Sequence, residues 1–268
     1  MKNHAETFRR LHQGPAILLL ANAWDAGSAR LTESLGAAAV ATTSAGVAWA
    51  LGYPDGDALP VDRLVAAVSA IVRVIKVPLT VDAESGYFSD PVAVGETIGR
   101  LVDAGAVGIN LEDGSGPPEL LAAKIAQAKR AAARAGVDLF VNARTDVYLR
   151  GLVPEAARTT ETLARAARYK DAGADGIFVP KVVGSDEIRA IAASVGLPLN
   201  VLAFPGLPPA LELAALGVRR LSAGSGISSV VWGRAAAAAS AFLRDGRSEP
   251  LSDGAMSYGE INALFPRS

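Results

Sequence analysis

Leu35-Gly36-Ala37-Ala38-Ala39-Val40-Ala41-Thr42 has counterparts in Ala104-Gly105-Ala106-Val107-Gly108-Ile109-Asn110-Leu111, in Ala172-Gly173-Ala174-Asp175-Gly176-Ile177-Phe178-Val179, and in Leu216-Gly217-Val218-Arg219-Arg220-Leu221. Each reads as a helix closing on glycine, which suits the left-handed turn at a helix end, followed by an apolar strand. Between them lie strands of a second kind, entered through proline or a polar break, at 78–82, 139–143 and 197–202. With the opening run at 17–21 these make eight strands. Helical patterns fill the gaps at 60–75, 91–104, 118–135, 154–172 and 209–216, each opening on proline. Units of about 30 residues fit parallel crossovers, and eight of them fit a (β/α)8 TIM barrel better than an open doubly wound sheet. The expectation is an α/β chain forming one domain over 1–268, with the barrel at about 15–245 and a C-terminal helical extension over 246–268.

Composition narrows the chemistry. Of 268 residues, 50% are hydrophobic and 20% charged, enough for a sizeable core. Twenty-six basic and 27 acidic side chains leave a formal charge of −1, which gives no field for nucleic acid or an anionic membrane. The absence of cysteine excludes thiolate metal sites and a thiol nucleophile. The first apolar run, 16–21, is too short for a signal core or a bilayer span, and no later stretch runs long enough without glycine, proline or charge. A cytoplasmic protein is expected.

Barrel chemistry gathers at the C-terminal ends of the strands. Those ends offer Asn22 and Asp25, Thr43 and Ser44, Asp82 and Glu84, Glu112 and Asp113, Arg144 and Asp146, Lys181, Asn200, and Ser222 with Gly224-Ser225-Gly226. Asp82, Glu84 and Glu112 come from adjacent strands, and hard carboxylate oxygens without His or Cys select Mg²⁺ or Mn²⁺. Taken singly, Asp82 reads as a barrel-edge cap and Glu84 as a solvated charge; the trio favours a metal. Arg144 can fork onto a substrate carboxylate, or pair with Asp146 or Glu112, and the two roles are compatible. The turn Thr42-Thr43-Ser44-Ala45-Gly46 leaves backbone N–H groups for an oxyanion. A desolvated Lys181 could form a Schiff base, although a plain surface lysine is the simpler reading.

Five motifs then occur in a telling order: Thr43-Ser44-Ala45-Gly46-Val47-Ala48, Leu51-Gly52-Tyr53-Pro54-Asp55, Val81-Asp82-Ala83-Glu84-Ser85-Gly86-Tyr87, Leu111-Glu112-Asp113-Gly114 and Asn142-Ala143-Arg144-Thr145-Asp146. The chain resembles the isocitrate lyase/phosphoenolpyruvate mutase superfamily. The resemblance implies an Mg²⁺-dependent barrel that breaks or forms C–C or P–C bonds beside a carboxylate through an enolate-like intermediate. It implies Asp82 as metal-binding aspartate, Glu84 as the second acid of the pair, Glu112 on metal-bound water, and Asp55 ordering the metal shell. The Ser44 and Ala45 amides would grip substrate oxygens and Arg144 would bind a carboxylate; Thr43 and Asn200, from their places at the strand ends, are the further substrate-binding candidates. It also implies a helix-swapped homo-oligomer, dimer or tetramer.

The departures are specific. Lyase members carry Lys-Arg-Cys-Gly-His after the Glu-Asp motif, where this chain has Gly114-Ser115-Gly116-Pro117-Pro118. Cleavage through a positioned thiol is therefore impossible. The expected function is Mg²⁺-dependent lysis or decarboxylation of a small 2-oxo or 2-hydroxy (di)carboxylic acid, such as oxaloacetate or 2-oxoglutarate, with Asp55, Arg144 and Lys181 as catalytic candidates. Binding of a 2-oxo acid without turnover and a Schiff-base aldolase through Lys181 are the alternatives.

Overall fold

The structure, a computed structural model, describes residues 2–265. Strands β1 (Leu18–Leu20), β2 (Asn22–Ala23), β3 (Val40–Thr42), β4 (Leu79–Asp82), β5 (Gly108–Glu112), β6 (Phe140–Arg144), β7 (Gly176–Val179), β8 (Leu199–Leu202) and β9 (Val218–Ser222) form one parallel sheet in the order β1-β9-β8-β7-β6-β5-β4-β3-β2. β1 and β2 are two pieces of one path, parted at Ala21: the first pairs with β9 and the second with β3. The sheet therefore curls until its two ends share that path, with helices around it, and the expected (β/α)8 barrel is present. The ninth strand is the break at Ala21.

Local chemistry explains the repeat. Gly36, Gly105, Gly173 and Gly217, the glycines of the four quoted segments, have φ of +94°, +111°, +105° and +97°, a region open to glycine at little cost. Helices Val61–Val74, Pro91–Asp103, Pro118–Arg134, Arg158–Asp171 and Ala210–Ala215 lie within the expected spans. Asp25, read as a strand-end group, instead caps helix Ala26–Ser34 by accepting from the Ser28 amide. Ser44 opens a short helix, Ser44–Ala50, where the sequence suggested only a turn.

Along β4–β6 the side chains alternate. Val81, Ile109, Leu111, Val141 and Ala143 join the apolar core with Val68, Ile71, Ile98, Leu101 and Ile125 of the helices. The residues between them, Thr80 and Asp82, Asn110 and Glu112, Asn142 and Arg144, form the opposite, polar face, which lines the barrel. Helix Lys2–Leu11 covers the other end of the strands: the Phe8 and His12 rings lie 5.5 and 4.1 Å from that of Phe140. A Cβ on Gly108 would sit 2.7 Å from the Phe8 ring and 2.9 Å from Thr80 Oγ1, so glycine makes room for this plug.

Beyond β9, helix Gly226–Asp245 leaves the barrel with Ser228 as its buried residue. By length and composition alone its 20 residues are long and apolar enough to cross a membrane, although Gly233 and Arg234 interrupt the apolar run in its middle, as expected from the sequence. The extension continues through a 3-10 turn, Glu249–Leu251, and helix Tyr258–Ala263, capped reciprocally by Ser257 and Glu260. The Leu264 carbonyl accepts from Arg30 Nε at 2.9 Å and ties the tail back to the barrel.

Candidate active site

At the C-terminal ends of the strands a cavity of about 120 Å³ is lined by Asn22, Thr43, Ser44, Ala45, Asp55, Asp82, Asn110, Arg144, Phe178, Ser222 and Gly224, among others. Asp82, Asp55, Arg144, Thr43, Ser44 and Ala45 are thus brought together. The Ser44 amide donates to Asp82 Oδ2 at 3.3 Å, and the Asp82 amide donates to Thr42 Oγ1 at 2.8 Å. Asp82 Oδ1 is buried and has no hydrogen-bond partner among the described residues. Burial raises the Asp82 carboxyl above its ordinary range, with Arg144 and the Ser44 hydrogen bonds opposing and Asp55 adding to the rise.

Arg144 is held on two sides. Its Nε and Nη2 donate to Asp146 at 2.7 and 3.2 Å, and its Nη1 meets Glu112 Oε2 at 2.6 Å. Two of the five guanidinium N–H bonds, on Nε and Nη2, go to Asp146, and Nη1 is ion-paired with Glu112, so N–H bonds on Nη1 and Nη2 remain for a ligand. Burial opposes the Arg144 charge, but Glu112, Asp146 and Asp82 outweigh it and hold it above the usual range. The ion pairs anticipated as the alternative are therefore present, and Arg144 still reaches the cavity. Asp146 is fixed in turn, since its amide donates to buried Asp113, which also accepts from Arg165 and Tyr169.

Glu112 lines a neighbouring cavity of about 300 Å³ with Asp57, Tyr87 and Lys124. Burial pushes its carboxyl up to about 8 against the pull of Arg144, and Asp82, Asp146 and Glu84 push in the same direction as burial.

Glu84 is a correction. Its backbone is left-handed, φ +51°, and its carboxylate accepts from the Gly56 amide at 2.9 Å, from the Asp57 amide, and from the Tyr87 hydroxyl at 2.9 Å. Asp57 answers by accepting from the amides of Ser85 and Tyr87 and the Ser85 hydroxyl. Glu84 therefore clamps the loop that carries Asp55. With Glu84 so turned and Glu112 on Arg144, the three carboxylates do not converge, and no group of three or more His, Asp or Glu side chains is arranged to hold a metal among the described residues.

Asn200 is a second correction. It is buried under the cavity, with its amide nitrogen on the Val201 and Arg220 carbonyls and its oxygen accepting from Asn142 and Ser222. Nothing is left for substrate. Lys181 follows Pro180 of the cavity wall, but it is exposed, with φ +68° and its Nζ 5.4 Å from the Phe204 ring. A Schiff-base lysine needs a desolvated amine, which this position does not supply. Sequence reasoning missed Asn110 and Arg220. The signal was a polar residue at an inward position of a strand that should be apolar throughout.

The family model for phosphoenolpyruvate phosphomutase matches residues 8–243. The chain belongs to this family. A family relative from Mycobacterium tuberculosis (strain ATCC 25618 / H37Rv), named only as an uncharacterized protein, is 38% identical over 261 residues, 96% of this chain and 95% of its own. An oxaloacetate decarboxylase of Pseudomonas fluorescens (strain SBW25) is 32% identical over 233 residues, 82% and 78% of the two chains. The crystal structure of a candidate lyase/mutase from Burkholderia cenocepacia J2315 is similar with a TM-score of 0.89 at 36% identity, covering 99% of this chain and 96% of that one. Phosphonopyruvate hydrolase in complex with oxalate and Mg²⁺ gives 0.84 at 25% identity, covering 97% and 94%. The phosphoenolpyruvate mutase/isocitrate lyase superfamily, first suggested by five short motifs, is thus established, and with it a place among lyases and mutases that act on small carboxylic acids.

Proposed function

We propose that this enzyme is a divalent-metal-dependent lyase, in its simplest form a decarboxylase, for a small 2-oxo or 2-hydroxy (di)carboxylic acid of the oxaloacetate kind. One observation carries the reading: a single small cavity is lined by both Asp82, whose buried Oδ1 has no hydrogen-bond partner among the described residues, and Arg144, which keeps N–H bonds beyond those given to Asp146. The similarity to an oxaloacetate decarboxylase supports it.

The donor set fits Mg²⁺ or Mn²⁺. Asp82 and Asp55 are hard oxygen donors on one cavity, and the buried Asp82 Oδ1 has no proton donor among the described residues to satisfy it. Asp82 would hold the ion, with Asp55 and Glu112 balancing charge around it; the Mg²⁺ in the related hydrolase supports this. Such an ion supplies Lewis-acid polarisation of the substrate oxygen.

The remaining steps fall to the chain itself. Arg144 binds a carboxylate through its free N–H pair. As the bond to the departing carboxyl breaks, its electron pair moves toward the 2-oxo oxygen, where the Ala45 amide in the first turn of helix Ser44–Ala50 can receive the developing charge, the Ser44 amide being held by Asp82 Oδ2. Water can return the proton, so no thiol is required. The test is product analysis with Mg²⁺ and a panel of oxaloacetate, 2-oxoglutarate and 2-hydroxy acids. We expect oxaloacetate to give pyruvate and CO₂, with turnover abolished by EDTA. Tight binding of a 2-oxo acid without any product would replace this reading with that of a binding protein.

A homo-oligomer belongs to the same proposal. Helix Gly226–Asp245 exposes Val230, Val231, Trp232 and Leu243, and beside Ile227 a groove of about 660 Å³ runs along residues of 10–38. Arg234 near the helix centre is exposed and disfavours lipid, so a second copy of this chain is the better cover for the apolar face.

A further inference from the structure

Under the cavity, Asn110, Asn142, Asn200, Arg220 and Ser222 are all buried and bonded to one another. The direction of the amide row is forced. A guanidinium has no acceptor, so the Asn110 atom 3.1 Å from Arg220 Nη2 is the carbonyl oxygen Oδ1. At the far end, the Asn200 atom within 2.8 and 3.2 Å of the Val201 and Arg220 carbonyls is the amide nitrogen, because carbonyls only accept. Asn142 lies 2.9 Å from both Asn110 Oδ1 and Asn200 Oδ1 and can meet two oxygens only with its Nδ2. No flip of any of the three amides is compatible with its neighbours.

The consequence falls on Asn110. Its Oδ1 accepts twice, while its Nδ2 enters no hydrogen bond among the described residues. Asn110 is only 5% exposed, yet it lines the cavity. It stands on β5, between the strand of Asp82 and the strand of Arg144, directly beside Asp82 in the register. Asn110 Nδ2 is not among the closed-off polar atoms, so its two donors open into the cavity and are available to an oxygen that enters it.

We propose that Asn110 is a substrate-contacting residue, its Nδ2 donating to a carboxylate or enolate oxygen of the bound acid, and that Arg220 is its positioning residue, acting by fixing Oδ1 inward. The inference rests on the proposed function and deepens it: between a metal-binding acid and a carboxylate-binding arginine it places an uncharged donor, suited to the oxygen on the carbon next to the carboxylate.

The test reads binding, not turnover: calorimetry of oxalate with Mg²⁺ on the intact protein. Asn110→Asp keeps the volume and an acceptor for Arg220 and Asn142 but removes the donor; Asn110→Ala removes it without adding charge. Both should weaken oxalate by about tenfold or more, with the thermal midpoint of Asn110→Asp not lowered. Arg220→Lys, or Arg220→Gln should lysine not fold, should weaken oxalate several-fold alone and add almost nothing on top of Asn110→Ala, a non-additivity that a merely structural arginine would not produce. Wild-type affinity in Asn110→Ala overturns the contact and leaves the proposed function standing; fully additive losses overturn the role of Arg220. If the wild-type protein itself binds no oxalate, the inference and the proposed function fall together.

Discussion

Arg144 shows how one side chain is prepared for two tasks. Asp146 takes two of its N–H bonds and Glu112 pairs with its Nη1, which leaves N–H bonds on Nη1 and Nη2 for a ligand. Arg144→Lys keeps the charge but cannot keep both carboxylates and present a fork. We expect kcat/KM on the preferred acid to fall roughly a hundredfold, equivalent to about 2.8 kcal/mol; an unchanged value would remove Arg144 from substrate binding. At the opposite end of the strands, Gly108→Ala places a methyl carbon 2.7 Å from the Phe8 ring. Such overpacking costs about 1–3 kcal/mol, to be read as a lowered midpoint in urea unfolding. What sequence conveyed at this scale was which strand end each residue occupies. It could not convey where a side chain turns once there: Glu84 and Asn200 stood at expected ends, and a left-handed backbone in one and a wholly satisfied amide in the other took them out of the cavity.

The loop bearing Asp55 is held by a reciprocal latch, with Glu84 accepting from the amides of Gly56 and Asp57, and Asp57 accepting from those of Ser85 and Tyr87. Charge-assisted bonds of this kind are roughly twice as strong as neutral ones. Glu84→Gln removes the charge and leaves one acceptor oxygen, so amide hydrogen exchange at Gly56 and Asp57 should quicken by about tenfold while the helix Pro118–Arg134 keeps its protection. Uniform loss of protection would mean that the latch supports the whole fold instead. At this scale the sequence was most informative where punctuation is strong: proline entries and glycine exits located the long helices. Ser44–Ala50 and Val147–Arg150 do exit toward left-handed glycines, Gly52 and Gly151, but have no proline entry and are too short to show a helical period, and they were missed. The first of these sets the amides of Ser44 and Ala45 at the cavity.

For the whole molecule, the buried plug makes stability depend on acid. Burial, with Arg220 and Arg9 in the same direction, lowers His12 to about 3 from an ordinary 6.5, although the Phe8 carbonyl accepts from its ring and opposes the change. Below pH 6.5 the unfolded chain takes up a proton that the folded chain refuses until about pH 3. The contribution of His12 is therefore complete above pH 6.5 and lost as pH falls toward 3, at about 1.4 kcal/mol per pH unit over that window. His12→Phe should show a flatter decline than wild type between these limits in chemical unfolding; parallel curves would disprove the assignment. Assembly is tested separately: if the Gly226–Asp245 helix is covered by a second copy, Trp232→Asp should turn the oligomer into a monomer by light scattering, and an unaltered mass would direct attention to another face.

The parting of the first strand at Ala21 also governs how the chain comes together. Leu18 pairs with Arg220 and Leu20 with Ser222, so β1 waits, with one row of peptide groups unmatched, for a neighbour that lies far along the chain. Every other pairing in the sheet joins consecutive strands. Contacts so distant along the chain are slow to form. The closing seam should be the final step of folding and the first to open under force.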